Sequence, residues 1–285
     1  MSVAPTWERI PFHVKEDIVQ LLDYKSRFRL RVCSKSDLNL VDACPIFLEQ
    51  IELYATPYKN APNFPHVLYI NKTIKIRENI VDHFFAIFNH NGSRVNKLVF
   101  GLDRGNHTPN AFVSQLAVKS GSLKECVKIK AKEVHFKSQG LLDEGCSLIF
   151  NVLDPHELFL ISCPSWFRLD VMNEFIQSDV WKRAKKISLG DDYCGSKLPI
   201  THFLHCEKLQ YTISTLSLED AWKLIKSFIT RDNISHGFGF SVNFYNEITE
   251  EQLVAKFEVQ SRKVPMVHRP PTRSILSLII IFLYG

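Results

Sequence analysis

The chain has no C-x-x-C pair: its seven cysteines (Cys33, Cys44, Cys126, Cys146, Cys163, Cys194 and Cys206) are scattered and odd in number. That argues against a disulfide framework and a ribbon-type zinc site, and for free thiols in a reducing compartment, with a cytoplasmic or nuclear address. Several sit beside apolar neighbours and read as small core residues. No secretory leader is expected, because residues 1–16 are polar, with two prolines and no apolar centre. No glycine-rich phosphate loop is present: Gly237-Phe238-Gly239 lacks a third glycine and enters a strand-like run. Charge of one sign is not in large excess. The net charge is +5, and Lys and Arg are interleaved with Asp and Glu, so no nucleic-acid partner is expected. The basic cluster Lys182-Arg183-Lys185-Lys186 reads as a solvated helix face.

Catalytic patterns are lacking too. No Ser, Cys or Thr has the local context of an activated nucleophile. Asp191-Asp192 reads as a turn. His202, His205 and Cys206 with Cys194 fit no usual zinc spacing. None of these local patterns points to a catalytic residue, a metal or a cofactor.

What is there begins with a helical head. Pro11 suits a first helical residue, which has no need of its N–H. Val14, Ile18, Leu21 and Leu22 recur at i, i+4, i+7 and i+8, one helical face. A second turn-rich stretch sets Lys25, Arg27, Arg29, Arg31 and Lys35 among Phe28, Leu30 and Val32. Three helices this short bury little surface alone. The head is expected to lean on a partner or on the next domain of the chain.

Residues 51–77 read as a linker with short strands, including 67–70 and 73–76 around a tight turn at Asn71-Lys72. From residue 78 helix-like and strand-like runs alternate. Helices are expected over 80–88, 111–118, 141–152, 171–181 and 218–229. Strands are expected over 97–100, 132–136, 157–161, 185–189, 208–213 and 238–244. The strand interval is near that of leucine-rich-type repeats. The expected fold is α/β: a three-helix head, then an irregular leucine-rich-repeat-like solenoid with parallel strands. The alternative is a compact parallel sheet with helices on both faces. In either, alternation puts Lys97, Glu133, His135, Lys186, Ser188, Lys208 and Gln210 on one strand face, and Leu98, Val134, Ile187 and Leu209 on the other. The polar set is the expected target-binding surface.

Trp7-Glu8-Arg9-Ile10-Pro11, with Leu30-Arg31-Val32-Cys33 and Lys35 after it, resembles an F-box, the helical module that docks a receptor onto the Skp adaptor of a cullin-based ubiquitin ligase. The resemblance implies that Ile10, Pro11, Val14, Ile18, Leu21, Leu22, Leu30, Val32, Cys33 and Lys35 face the adaptor. Val180-Trp181-Lys182-Arg183-Ala184-Lys185 is similar to the Gln-Trp-Lys-x-Ala-Lys motif of the FTH domain. That domain lies C-terminal to the F-box in a large nematode-expanded family, the F-box A family. His202-Phe203 and Glu219-Asp220 match its other signatures. The sequence departs from the pattern at Val180, where Gln is usual, and at Ser34, where many F-boxes carry Lys.

The resemblance divides the chain into an F-box (1–50), a linker (51–77), an FTH substrate-binding domain (78–258) and a divergent tail (259–285). It implies a substrate receptor with a Skp-family adaptor, a cullin and an unknown protein target as partners. The alternative is an interaction scaffold independent of the ligase. The tail is basic and holds three prolines over 262–273, then is apolar over 274–284. A membrane span needs about 20 apolar residues, so no stable span is expected; the readings left are a buried final strand, a weak membrane contact and a mis-assigned end of the coding sequence, the last favoured.

Overall fold

The computed structural model describes residues 6–55, 66–88, 90–101, 119, 128–137, 149–163, 169–190, 198–213, 215–230, 239–244, 252 and 255. The expected helix at 111–118, most of that at 141–152, Trp166, Cys194 and the tail lie outside them.

The head is a 3₁₀ turn (Trp7–Arg9) and helices α1 (Phe12–Leu21), α2 (Tyr24–Arg31) and α3 (Lys35–Ala43). Each boundary has a local cause. Pro11 is the N-cap of α1, one position earlier than expected; its carbonyl accepts the first helical bond, from Lys15 N–H. Asp23 caps α2 by accepting the Ser26 N–H at 2.7 Å. Ser34 caps α3: its hydroxyl accepts the Asp37 N–H and donates to the Asp37 carboxylate. The departure from the family pattern at Ser34 is thus a helix cap. A small core of Val19, Leu40, Val41 and Cys44 closes the head, with Trp7 and Leu30 against it. Within α1 the buried residue is Val19; Val14 and Leu21 are exposed and Ile18 is half-buried.

Arg27 joins the head to the first strand of the sheet. It is 4 % exposed, and its guanidinium donates to the carbonyls of Gln20, Leu22 and Pro45. Those first two carbonyls are at the C-terminal end of α1, which has no intrahelical donors for them. Burial is the first cause holding Arg27 below the usual arginine pKa.

The sheet has nine strands in the order β3-β2-β1-β4-β5-β6-β7-β8-β9. They are β1 (Phe47–Ala55), β2 (His66–Ile70), β3 (Ile74–Ile76), β4 (Arg94–Gly101), β5 (Ala131–Phe136), β6 (Leu160–Cys163), β7 (Lys186–Leu189), β8 (Lys208–Ile213) and β9 (Gly239–Phe244). Helix α4 (Ile80–Phe88) precedes β4; α5 (Leu169–Gln177) and α6 (Asp179–Arg183) precede β7; α7 (Leu218–Ile229) precedes β9. The α/β class and the parallel pairing agree with the sequence. The stretch expected as a linker is part of the same sheet: β1 pairs in parallel with β4, and β2 and β3 continue it antiparallel. Asn71 and Lys72 have φ of 49° and 61°, the left-handed pair of a tight hairpin turn, and the Asn71 side chain accepts the Glu49 and Gln50 N–H groups.

Two expected elements differ. The strand placed at 157–161 runs instead over Leu160–Cys163, because Asp154 and Pro155 open a turn in which Asp154 accepts the His156 N–H. The helix placed at 171–181 is two helices. Ser178 breaks it, donating its hydroxyl to the Phe175 carbonyl and accepting the Trp181 N–H.

One sheet face is a ladder in register: Ile51, Leu98, Val134, Ile161, Ile187, Leu209 and Phe240, all buried. Each such side chain contributes about 1.5–3 kcal/mol of burial. Over it runs an unbroken chain of ring contacts: Phe100, Phe136, Phe150, Phe175, Trp181, Phe203 and Tyr211. Trp181 and Trp222 are core residues.

Candidate functional site

Two surfaces stand out, one on the head and one on the sheet. The large apolar residues left exposed, among the described residues, are Phe12, Val14, Leu21, Phe28, Val32 and Phe47. All fall between residues 12 and 47. Leu21 is 88 % exposed and Val32 69 %. Isolated exposed apolar side chains are ordinary; these are confined, among the described residues, to the head and its junction with β1. The helices that carry them are held from beneath. Trp7 donates its indole N–H to Asp37 at 2.8 Å, and Arg31 grips Asp42 with two bonds. The Ser34 hydroxyl first, and then Trp7, hold the Asp37 carboxyl below the usual carboxylate range.

The residues expected to face an adaptor divide by exposure. Pro11, Val14, Leu21, Val32, Cys33 and Lys35 are exposed. Ile10, Ile18, Leu22 and Leu30 are half-buried, with Leu30 packed on the small core. Sequence reasoning missed Phe12, Phe28 and Phe47 as exposed residues. Phe28 also touches the His83 ring on α4, at 5.3 Å between centroids. The signal for Phe28 was its place among arginines on a helix too polar to bury it; Phe47 gave none.

On the sheet, the face opposite the apolar ladder carries the second surface. Strand register sets Gln50, Lys97, Glu133, Leu160, Lys186 and Lys208 in one row. It sets Glu52, Val99, His135, Ser162, Ser188 and Gln210 in the next. All seven residues expected on one strand face therefore lie in two adjacent rows. The rows are not wholly polar: Leu160 and Val99 interrupt them and are buried. Glu133 meets His135 at 3.0 Å. Burial pushes the His135 pKa down, against the opposing pull of Glu133.

An aromatic shelf at the β1 end went unforeseen. Tyr54 and Tyr69 meet edge to face, and Lys75 stands over the Tyr69 ring. Gly101 makes room for it, since a Cβ there would overlap the Tyr54 ring. The FTH-like motifs also meet in space. Trp181 donates its indole N–H to the His202 carbonyl at 3.0 Å and packs on Phe203. Ser217 and Asp220 cap α7. The His205 ring contacts the Trp181 carbonyl at 2.9 Å, and the Cys206 thiol contacts that ring. No cluster of three or more metal-ligating side chains occurs among the described residues, and no helix there is long and apolar enough to cross a membrane.

Comparison with known families agrees with these two regions. Residues 7–49 match the model of the F-box domain, and residues 116–257 match that of the FTH domain. No curated protein and no solved structure matches. The exposed apolar head is the F-box and the later strands of the sheet belong to the FTH domain, so the chain belongs to the proteins that carry an F-box and, C-terminal to it, an FTH domain.

Proposed function

We propose that this protein is the non-catalytic substrate-recognition subunit of a Skp–cullin–F-box ubiquitin ligase. The F-box binds a Skp-family adaptor and through it a cullin, and the open face of the sheet binds a protein target. The observation that carries this reading is that, among the described residues, the exposed large apolar side chains all fall between residues 12 and 47. A head of three short helices that leaves Leu21, Val32 and Phe12 in solvent is stabilised when a partner covers them. F-box domains generally dock adaptors in this way, and an FTH domain behind one fits a substrate-binding role.

Leu21→Asp with Val32→Asp tests it. Both side chains are mostly exposed in the free chain, so the fold should change by less than about 0.5 kcal/mol. Burying either against an adaptor is worth roughly 1.5–3 kcal/mol, so adaptor binding should fall at least tenfold. Recovery of the adaptor at the wild-type level, with the fold intact, would refute the assignment.

A further inference from the structure

Among the described residues, charges on the polar sheet face are matched at its centre and unmatched at one end. Lys97 stands opposite Glu133, which also holds His135. At the rim, Lys185 meets Glu207 at 3.0 Å. Lys186, by contrast, stands directly opposite Lys208. No salt bridge to either is found among the described residues. Neighbouring strands lie about 4.8 Å apart, and like charges directly opposite one another destabilise a sheet. Neither lysine can turn to the other face, which the buried Ile187 and Leu209 fill. Both are half-buried, so water screens them less than it screens a free surface charge.

The surroundings fit an anion. The row ends at Gly239, opposite Lys208, where an added Cβ would meet nothing within 4 Å. Open space therefore lies over the backbone at Gly239, opposite Lys208, while the Gly239 N–H donates to the Glu207 carbonyl. The next row supplies Ser162, Ser188, Gln210 and Ser241, hydroxyl and amide groups without an acid among them. No arginine stands in either row. Lysine is a point charge and lacks the planar fork that favours bidentate phosphate binding.

We propose that the β7–β9 end of the open face seats an acidic peptide segment of the target, with Asp or Glu carboxylates between Lys186 and Lys208 and over Gly239. This rests on the reading of the open face as the target-binding surface. A carboxylate there relieves the lysine–lysine repulsion and accepts from the neighbouring hydroxyls. Binding through such charges weakens as salt rises.

The full-length chain, purified with its adaptor, would be titrated into fluorescent peptides and monitored by anisotropy. The probes are a short Glu/Ser peptide, the matching Gln/Ser peptide and a phosphoserine/Gly peptide. The Glu/Ser peptide should bind, with affinity falling as salt is raised, and the Gln/Ser peptide about tenfold more weakly. Lys186→Glu with Lys208→Glu should remove that preference. Lys186→Gln with Lys208→Gln should do so without lowering the melting temperature, since it also removes the lysine–lysine repulsion, and this separates binding from folding. Lys182→Glu, on an exposed helix position, should leave it intact. Equal binding of the Gln/Ser peptide, indifference to the paired substitutions, or binding of the phosphoserine peptide alone would each overturn the proposal. Adaptor retention is read in the same preparation. Loss of the adaptor with the acidic preference kept would count against the ligase reading and leave this site standing; the reverse result would do the opposite.

Discussion

Replacing Arg27 by Met removes a side chain on α2 that ties the end of α1 to the entry of β1. The guanidinium donates to Gln20 and Leu22 at the end of α1 and to Pro45 at the entry to β1, at 3.0, 3.1 and 2.7 Å. Hydrogen bonds from a charged donor contribute about 1.5–3 kcal/mol each, and a stranded buried carbonyl costs about 1–3 kcal/mol. Against this, Met recovers the desolvation of a charge that burial disfavours, the same effect that lowers the Arg27 pKa. The net loss should be about 3 kcal/mol, and it should fall on the head. Hydrogen exchange read by mass spectrometry is the assay. Amides of α1 to α3 should exchange roughly a hundredfold faster. Those of β4 to β8 should keep their protection. Arg31→Met is the comparison, because its ion pair with Asp42 is about one-third exposed and should be worth under about 1 kcal/mol. If Arg27→Met costs no more than Arg31→Met, the guanidinium does not hold the junction and the reasoning fails.

Gly101→Ala should destabilise the chain by about 1–3 kcal/mol, because the new Cβ meets the Tyr54 ring; adding Tyr54→Ala should recover most of the loss, and a purely additive double variant would refute the contact. Acidification is a second perturbation. His83 and His135 are both held below their ordinary value of 6.5, by burial first. Their neutral forms are favoured in the fold, so protonation favours the unfolded chain. The stability at stake is fully present above 6.5 and is lost as pH falls below it toward the lowered folded values. The melting temperature should fall on acidification from neutral pH, before carboxylates titrate, and His83→Asn with His135→Asn should flatten that fall; an unchanged slope would contradict it.

The sheet was legible in the sequence because its strands alternate cleanly. Lys208, Gln210 and Thr212 against Leu209 and Tyr211 admit one orientation on a half-buried sheet. The helices at 80–88 and 218–229 were legible for a like reason: a 3.6-residue period and clear ends. What misled was local chemistry that periodicity does not weigh. Ser178 satisfies backbone groups on both sides and so splits a helix that the apolar pattern runs through. Asp154 and Pro155 delay β6, which begins at Leu160. Pairing between distant segments was the least legible. Nothing in Phe47–Ala55 says that it joins β4 rather than forming a separate piece, since parallel pairing across about forty residues leaves no local pattern in either strand. On the candidate surfaces, the polar rows came from alternation. The aromatic shelf did not, because Tyr54 and Tyr69 meet only once β1 and β2 are in register. Phe47 gave no signal, because a strand's first residue faces solvent or core according to a neighbour that the sequence does not name.

The most direct measurement is hydrogen exchange on the full chain, free and mixed with a purified Skp-family adaptor. Our account predicts a one-to-one complex. It also predicts new protection confined to residues 12–47, where Phe12, Val14, Leu21, Phe28, Val32 and Phe47 are exposed in the free chain. Protection over β7 to β9 should not change. A complex that protects the sheet and leaves the head untouched, or no complex at all, would contradict the assignment of the head as the adaptor-binding surface.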